Sequence, residues 1–257
     1  GDVAAIASAT GVNFAAVAAP PGRVYAVKKP RIALFQRHGG GNMDEGWTRL
    51  LFERFDVPYK TLMDAEIKAG GLDAKYDVIV LPADNIQGMT GEVPPAGTRG
   101  GGQGPPPTNT PPEFKSGFGA EGVEALETFV KKGGTLVAFA QAADLPVQRF
   151  NLPVRNVVAG LLPKEFWAPG STLRVSIAND HPLGYGLPAE GLALFMAGSQ
   201  AYEVTSTDRS QDVAILATYA ERDVLQSGWL IGEPVIARKA AAVTVKHGAG
   251  QVVLIGF

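Results

Sequence analysis

The chain has 257 residues, 46% of them hydrophobic and 19% charged, with a formal net charge of −2, which fits one large or two small globular domains with a sizeable core. A near-neutral balance without a long basic run gives no electrostatic footprint for nucleic acid or an anionic membrane, so neither is expected as a partner. The absence of cysteine excludes disulfides, thiolate metal sites and a cysteine nucleophile together.

Residues 1–28 read as a linker or the tail of an upstream domain. The apolar stretch 3–20 has no basic n-region and is interrupted by Ser8, Thr10, Gly11 and Asn13, which fits neither a signal peptide nor a membrane span. Because the chain opens on Gly1 and stops at Phe257 just after an apolar run, it is expected to be a piece of a longer protein. A domain spanning 29–257 follows. Ile32-Ala-Leu-Phe35 is a buried strand, and Met43, Trp47, Leu50, Leu51 and Phe55 then recur at helical spacing, a stripe expected to place Trp47 in the core. Residues 59–62 form an edge-like strand, 64–68 a brief helix and 78–81 a strongly buried strand. Val123, Leu126, Phe129 and Val130 give a second helical stripe, stopped by Gly133-Gly134 ahead of the strand 135–139. Successive βα units predict a parallel sheet flanked by helices on both faces, an α/β fold.

A Gly/Pro-rich surface insertion is expected at about 86–118, centred on residues 99–112, whose composition supplies no core contacts. Beyond Asn151 the runs 172–177, 192–196, 201–204, 213–219, 241–246 and 252–255 predict additional antiparallel strands, the last two as a hairpin.

The glycine-rich turn before the first helix is the obvious place to look for a phosphate cradle. In Gly41-Asn-Met-Asp-Glu-Gly46-Trp47-Thr48 a tryptophan stands where a P-loop needs lysine. A dinucleotide fingerprint begun at Gly39 has Asp44 in place of its third glycine. Asp44 and Glu45 would repel a phosphate at the helix N-terminus. Helix capping by Asn42, with Glu45 three residues on, accounts for the same residues. No metal site is expected in this chain, because His38, His181 and His247 lack a carboxylate at ligand spacing. Ala197-Gly-Ser199-Gln-Ala201 lacks the outer glycines of a serine elbow, and the turn after the central strand reads Ala140-Gln141-Ala142-Ala143-Asp144, without a nucleophile.

Pro30-Arg-Ile-Ala-Leu34, Met43-Asp-Glu-Gly-Trp-Thr-Arg49, Tyr76-Asp-Val-Ile-Val-Leu-Pro82, Gly122-Val-Glu-Ala-Leu126, Gly133-Gly-Thr-Leu-Val137 and the terminal Gly250-Gln-Val-Val-Leu-Ile-Gly-Phe257 together resemble the class I glutamine amidotransferase-like C-terminal domain of bacterial zinc carboxypeptidase-like proteins. The resemblance runs from about residue 22 to the end. It implies a flavodoxin-like sheet, an upstream peptidase domain in the same polypeptide that carries zinc, and an extracytoplasmic location. Working amidotransferases hold a cysteine at the elbow with a downstream His and Glu, and none is matched here, so no catalytic residue and no cofactor is expected in this chain. The expected function is a non-catalytic accessory domain of a secreted peptidase. An alternative is a glycan- or peptide-binding module at the C-terminal ends of the parallel strands, with Asp44, Glu45, Trp47, Asp84, Asn85 and Gln141 as ligand contacts. A second alternative is an atypical hydrolase drawing on Asp44, Glu45 and His38. Trp47 distinguishes the readings: core packing would bury it, a stacking platform would expose it.

Overall fold

The computed structural model describes residues 2–19, 28–38, 43–92, 111, 114–209 and 212–257. The glycine turn, the Asn42 cap and nearly all of the 99–112 stretch lie outside the described residues. In chain order the elements are α1 (Val3–Thr10), β1 (Ile32–Phe35), α2 (Met43–Arg54), β2 (Tyr59–Leu62), α3 (Asp64–Ala69), α4 (Leu72–Lys75), β3 (Val78–Leu81), α5 (Ile86–Thr90), α6 (Gly119–Lys131), β4 (Thr135–Phe139), α7 (Asp144–Arg149), β5 (Val154–Asn156) and β6 (Ser171–Ile177). They continue as β7 (Glu190–Phe195), β8 (Tyr202–Val204), β9 (Val213–Tyr219), β10 (Leu225–Ser227), α8 (Glu233–Ile236), β11 (Ala240–His247) and β12 (Gly250–Ile255). No described helix is long and apolar enough to cross a membrane.

Five strands run parallel in the order β2-β1-β3-β4-β12, the flavodoxin-like arrangement of a doubly wound sheet. The predicted hairpin is present: β11 pairs antiparallel with β12, and β9 and β6 extend the sheet antiparallel beyond it. Period-two alternation divides the core between the two faces. In β12, Val252 and Leu254 join a cluster with Leu126, Phe129 and Val130 of α6, while Val253 joins the opposite one with Leu173, Phe195 and Ile236. The Gly133-Gly134 stop is steric as well as conformational. Gly133 sits at φ +111, and a Cβ on Gly134 would lie 2.3 Å from Phe129 Cζ, inside van der Waals contact. The segment read as a surface insertion begins with α5, whose Ile86 and Met89 are buried, and ends on buried Phe118.

The first helical stripe does not enter the core. Met43, Trp47, Leu50, Leu51 and Phe55 are all exposed, Trp47 by 63%, which corrects the expectation that Trp47 packs inside. At about 100° per residue these five side chains share one face and Glu45, Thr48, Arg49 and Phe52 share the other. The second set turns inward. Glu45 is the one buried residue of α2, and Arg49 pairs with it while donating to Thr61 Oγ1 at 3.0 Å and Tyr59 Oη at 3.3 Å. Phe52 packs on Tyr59 with ring centroids 5.5 Å apart. Right-handed crossovers put α2 on the face opposite α3, α4 and α6, beside edge strand β2, whose polar side chains attract a polar helix face. The N-terminal residues 2–19, α1 included, contribute no buried residue.

Candidate functional site

In an open α/β sheet the ligand crevice lies at the C-terminal ends of the parallel strands, where the strand order reverses. Here that point is between β1 and β3. Reading along the edge, Gln141 follows β4, Asp84 and Asn85 follow β3, Arg37 and His38 follow β1, and Asp64 follows β2.

Arg37 Nε donates to Asp84 Oδ2 at 2.6 Å, with the two side chains only 17% and 7% exposed. The other oxygen, Asp84 Oδ1, accepts the Asn85 N–H at 2.9 Å, and Asn85 Oδ1 caps α5 by accepting from Gly88 N at 2.7 Å. Gly88 is required by this packing, since a Cβ there would lie 2.8 Å from Asp84 Oδ1. Asp84 and Asn85, both expected as ligand contacts, are thus brought together at β3, and Arg37, which was not expected, fixes them to β1.

Asp64 is 5% exposed and neither carboxylate oxygen has a hydrogen-bond partner. Burial pushes its carboxyl above the usual 3.8, while the Gly117 N–H and the electrostatic pull of His38, Lys68 and Arg37 draw it back. The Gly117 amide lies near the carboxylate without meeting hydrogen-bond geometry, so the group is electrostatically eased but unpaired. His38 is anchored structurally: its carbonyl accepts from Ser116 Oγ, and its ring meets Phe114 edge-on at 5.7 Å.

The remaining expected contacts disperse. Glu45 is held by Arg49 on the inner side of α2, whereas Trp47 is exposed, as a stacking platform would be, but on the face of α2 turned away from the sheet. Asp44 is exposed, with partial desolvation raising its carboxyl. Gln141 lies against Gly198, at the far side of β4, where a Cβ would come within 3.2 Å of its Cδ.

The turn that carries Gln141 has an unusual backbone. Ala140, the first residue past β4, sits at φ +44 and is buried, the left-handed conformation that costs an L-residue about 1–2 kcal/mol. A strained strand-to-helix turn at this place is the geometry of a nucleophile elbow, and here it presents a methyl group. Behind it Gln200 Nε2 donates to Asp144 Oδ1 at 2.9 Å, and burial raises the Asp144 carboxyl while that amide draws it partly back. Gln200 Oε1 and Tyr202 Oη are buried without partners. Ser199 is tied into a turn, its Oγ accepting the Met196 N–H at 2.9 Å. His181 caps a 3-10 turn through Nδ1, and His247 pairs with Glu127 at 2.9 Å while stacking on Phe150. Among the described residues no group of three or more His, Asp or Glu side chains is placed to hold a metal ion. The edge can accept and donate hydrogen bonds to a polar ligand, and its elbow residue cannot attack a carbonyl.

No protein-family model matches the sequence, and no curated protein does. Among solved structures, a cytoplasmic protein from Salmonella typhimurium is 13% identical over 88% of this chain and 86% of its own, with a TM-score of 0.51. A protein from Bacteroides uniformis described as ThuA-like is 13% identical over 93% of this chain and 86% of that one, at a TM-score of 0.48. One from Thermoplasma acidophilum described as a GMP synthase subunit is 11% identical over 88% of this chain and 83% of its own, at 0.47. At such identities the likeness concerns the fold alone.

Proposed function

We propose that this chain is a non-catalytic accessory domain of an extracytoplasmic zinc carboxypeptidase-like protein, packing through α2 on the peptidase domain or recruiting substrate to it. The observation that carries the reading is the outward apolar face of α2, where Met43, Trp47, Leu50, Leu51 and Phe55 are exposed together. Contiguous apolar patches of this kind mark contact surfaces. The same helix contains the Asp-Glu-Gly-Trp-Thr-Arg run, which with the Gly-Gly-Thr-Leu-Val strand is the most specific part of the family resemblance. The alanine at the elbow fits a domain relieved of chemistry, and zinc belongs to the peptidase domain in this reading.

The test is hydrogen exchange of α2 in the isolated chain and in a polypeptide that includes the upstream domain. Slower exchange of the Met43–Arg54 amides in the longer protein is expected, abolished by Leu51→Glu, which should change the isolated chain's stability by no more than about 0.5 kcal/mol, as for an exposed site. Equal exchange in both proteins, or carboxypeptidase turnover by the isolated chain, would overturn it. A second reading, a glycan or peptide module at the strand ends, is favoured by the unpaired Asp64 carboxylate, which feels the charge of Arg37, together with the Arg37–Asp84 pair. Titration with maltose or a neutral tripeptide should then shift the Arg37 Nε–H resonance; an unmoved signal at saturating probe counts against it.

A further inference from the structure

A sheet edge presents unpaired N–H and C=O groups, and proteins blunt such edges with lysine, proline, bulges or short strands. Three of the edges here are blunted. β2 has four residues, follows Pro58 and carries Lys60. β10 has three residues and a register shift between Leu225 and Ser227 against β6. β5 has three residues, with Arg155 at its centre. The edge of β7 is different. It has six residues, pairs among the described residues only with β6, keeps an unbroken register from Ser171↔Phe195 to Ser176↔Glu190, and contains no Lys, Arg or Pro. Of its outward side chains only Glu190, at the start of the strand, is charged: Leu192 is 57% exposed and Leu194 56%, with Met196 exposed just beyond the strand.

We infer that β7 is a self-association edge, at which a second copy of this chain adds its own β7 antiparallel across a two-fold axis and continues the sheet. The occupant follows from the register. Ile177 N–H donates to Ala189 O at 2.7 Å, and in an antiparallel ladder bonding direction alternates along the strand. Gly191, Ala193 and Phe195 therefore spend their backbone groups on β6, and Glu190, Leu192 and Leu194 direct theirs to the open side. Two copies can bond only in registers that place even-numbered residues opposite one another. Centring the axis on Ala193 satisfies this, and it sets Leu192 against the partner's Leu194 and Phe195 against the partner's Gly191. The first pairing covers two exposed leucines with each other, and the second sets the largest inward side chain against none. Such an isologous contact is closed and stops at two copies. It lies at the end of the sheet remote from β2 and α2, so it is independent of the proposed docking surface.

The absence of cysteine makes the register directly testable. Opposed residues of a non-bonded antiparallel pair have Cα atoms about 4.5 Å apart, within disulfide reach. Under mild oxidation Ala193→Cys should form a covalent dimer, while Leu192→Cys and Leu194→Cys, each opposite a leucine, should crosslink at least about tenfold more slowly, being offset from the axis by a diagonal spacing. Ala193 is buried, so a companion measurement without a core substitution is needed: in sedimentation equilibrium the unmodified chain should dimerise, and Leu194→Lys, an exposed change that restores a charged edge, should leave a folded monomer. A monomeric unmodified chain would overturn the inference, as would a dimer indifferent to Leu194→Lys. Fast crosslinking at 192 or 194 alone would overturn the register.

Discussion

Asp64→Asn should stabilise this protein at neutral pH, and the gain should vanish in acid. The native carboxylate is 5% exposed with both oxygens unpartnered, and a buried unsatisfied polar group costs about 1–3 kcal/mol, more when charged. Asparagine keeps the shape and still lacks partners, so the substitution isolates the charge. Allowing for the offsetting pull of Arg37, Lys68 and His38, the gain is about 1 kcal/mol at pH 7, or about 2–4 °C in Tm for a chain of this size. The sign follows from linkage. Folding raises this carboxyl above its ordinary 3.8, so the folded state holds the proton more tightly. The penalty is absent below the ordinary value, grows as pH rises through the raised value and is complete above it. Thermal melts of both proteins from about pH 3 to pH 8 should therefore diverge upward. A variant less stable at neutral pH would refute the reasoning, because it would show that the surrounding groups hold the Asp64 charge more strongly than burial penalises it; a gain independent of pH would refute it equally.

Arg37→Ala leaves Asp84 buried without its partner and should cost about 3–5 kcal/mol, read from the urea midpoint; a loss below 1 kcal/mol would mean that Asn85 and water suffice for that carboxylate. Tyr202→Phe removes a buried hydroxyl that has no partner and should leave stability unchanged or raise it by about 1 kcal/mol, whereas a clear loss would reveal a bond that the structure does not contain. Ala140→Gly, at φ +44, exchanges a left-handed alanine for the residue that tolerates that conformation, and a net gain of up to about 1 kcal/mol in chemical denaturation is expected after the entropy cost of glycine; a loss would locate the value of Ala140 in its methyl contacts.

The parallel strands other than the polar edge strand β2 were legible because each is a short apolar run bounded by turn residues, and the β11–β12 hairpin because His247-Gly-Ala-Gly250 interrupts two such runs. β5 and β10, three residues each, are too short to show a period. The stripe on α2 was found correctly and oriented wrongly. Periodicity identifies a helix face, and the identity of the neighbour decides where it points; that neighbour is Tyr59 and Thr61 of β2, reached by Arg49. Asp84 and Asn85 could be placed at a strand end because β3 is so plainly buried. Arg37 and Asp64 went unnoticed although each stands two positions beyond its strand, the same offset as Gln141 beyond β4. The left-handed backbone of Ala140 had no signal at all, since alanine has no preference that advertises it.

The attachment of α2 also sets its local stability. Most helices in such sheets are fastened by apolar side chains, so they open only when the whole domain unfolds. This one is fastened mainly by Glu45, Arg49 and the packing of Phe52 on Tyr59, with its other apolar residues facing solvent, and elements with few buried apolar contacts open at a fraction of the global free energy. Contact on the outer face would therefore do more than cover five side chains. It would lend the helix the cooperativity that its own chain withholds, and whatever touches that face would set the rigidity of Gln36, the Arg49 acceptor next in sequence to Arg37 at the head of the crevice.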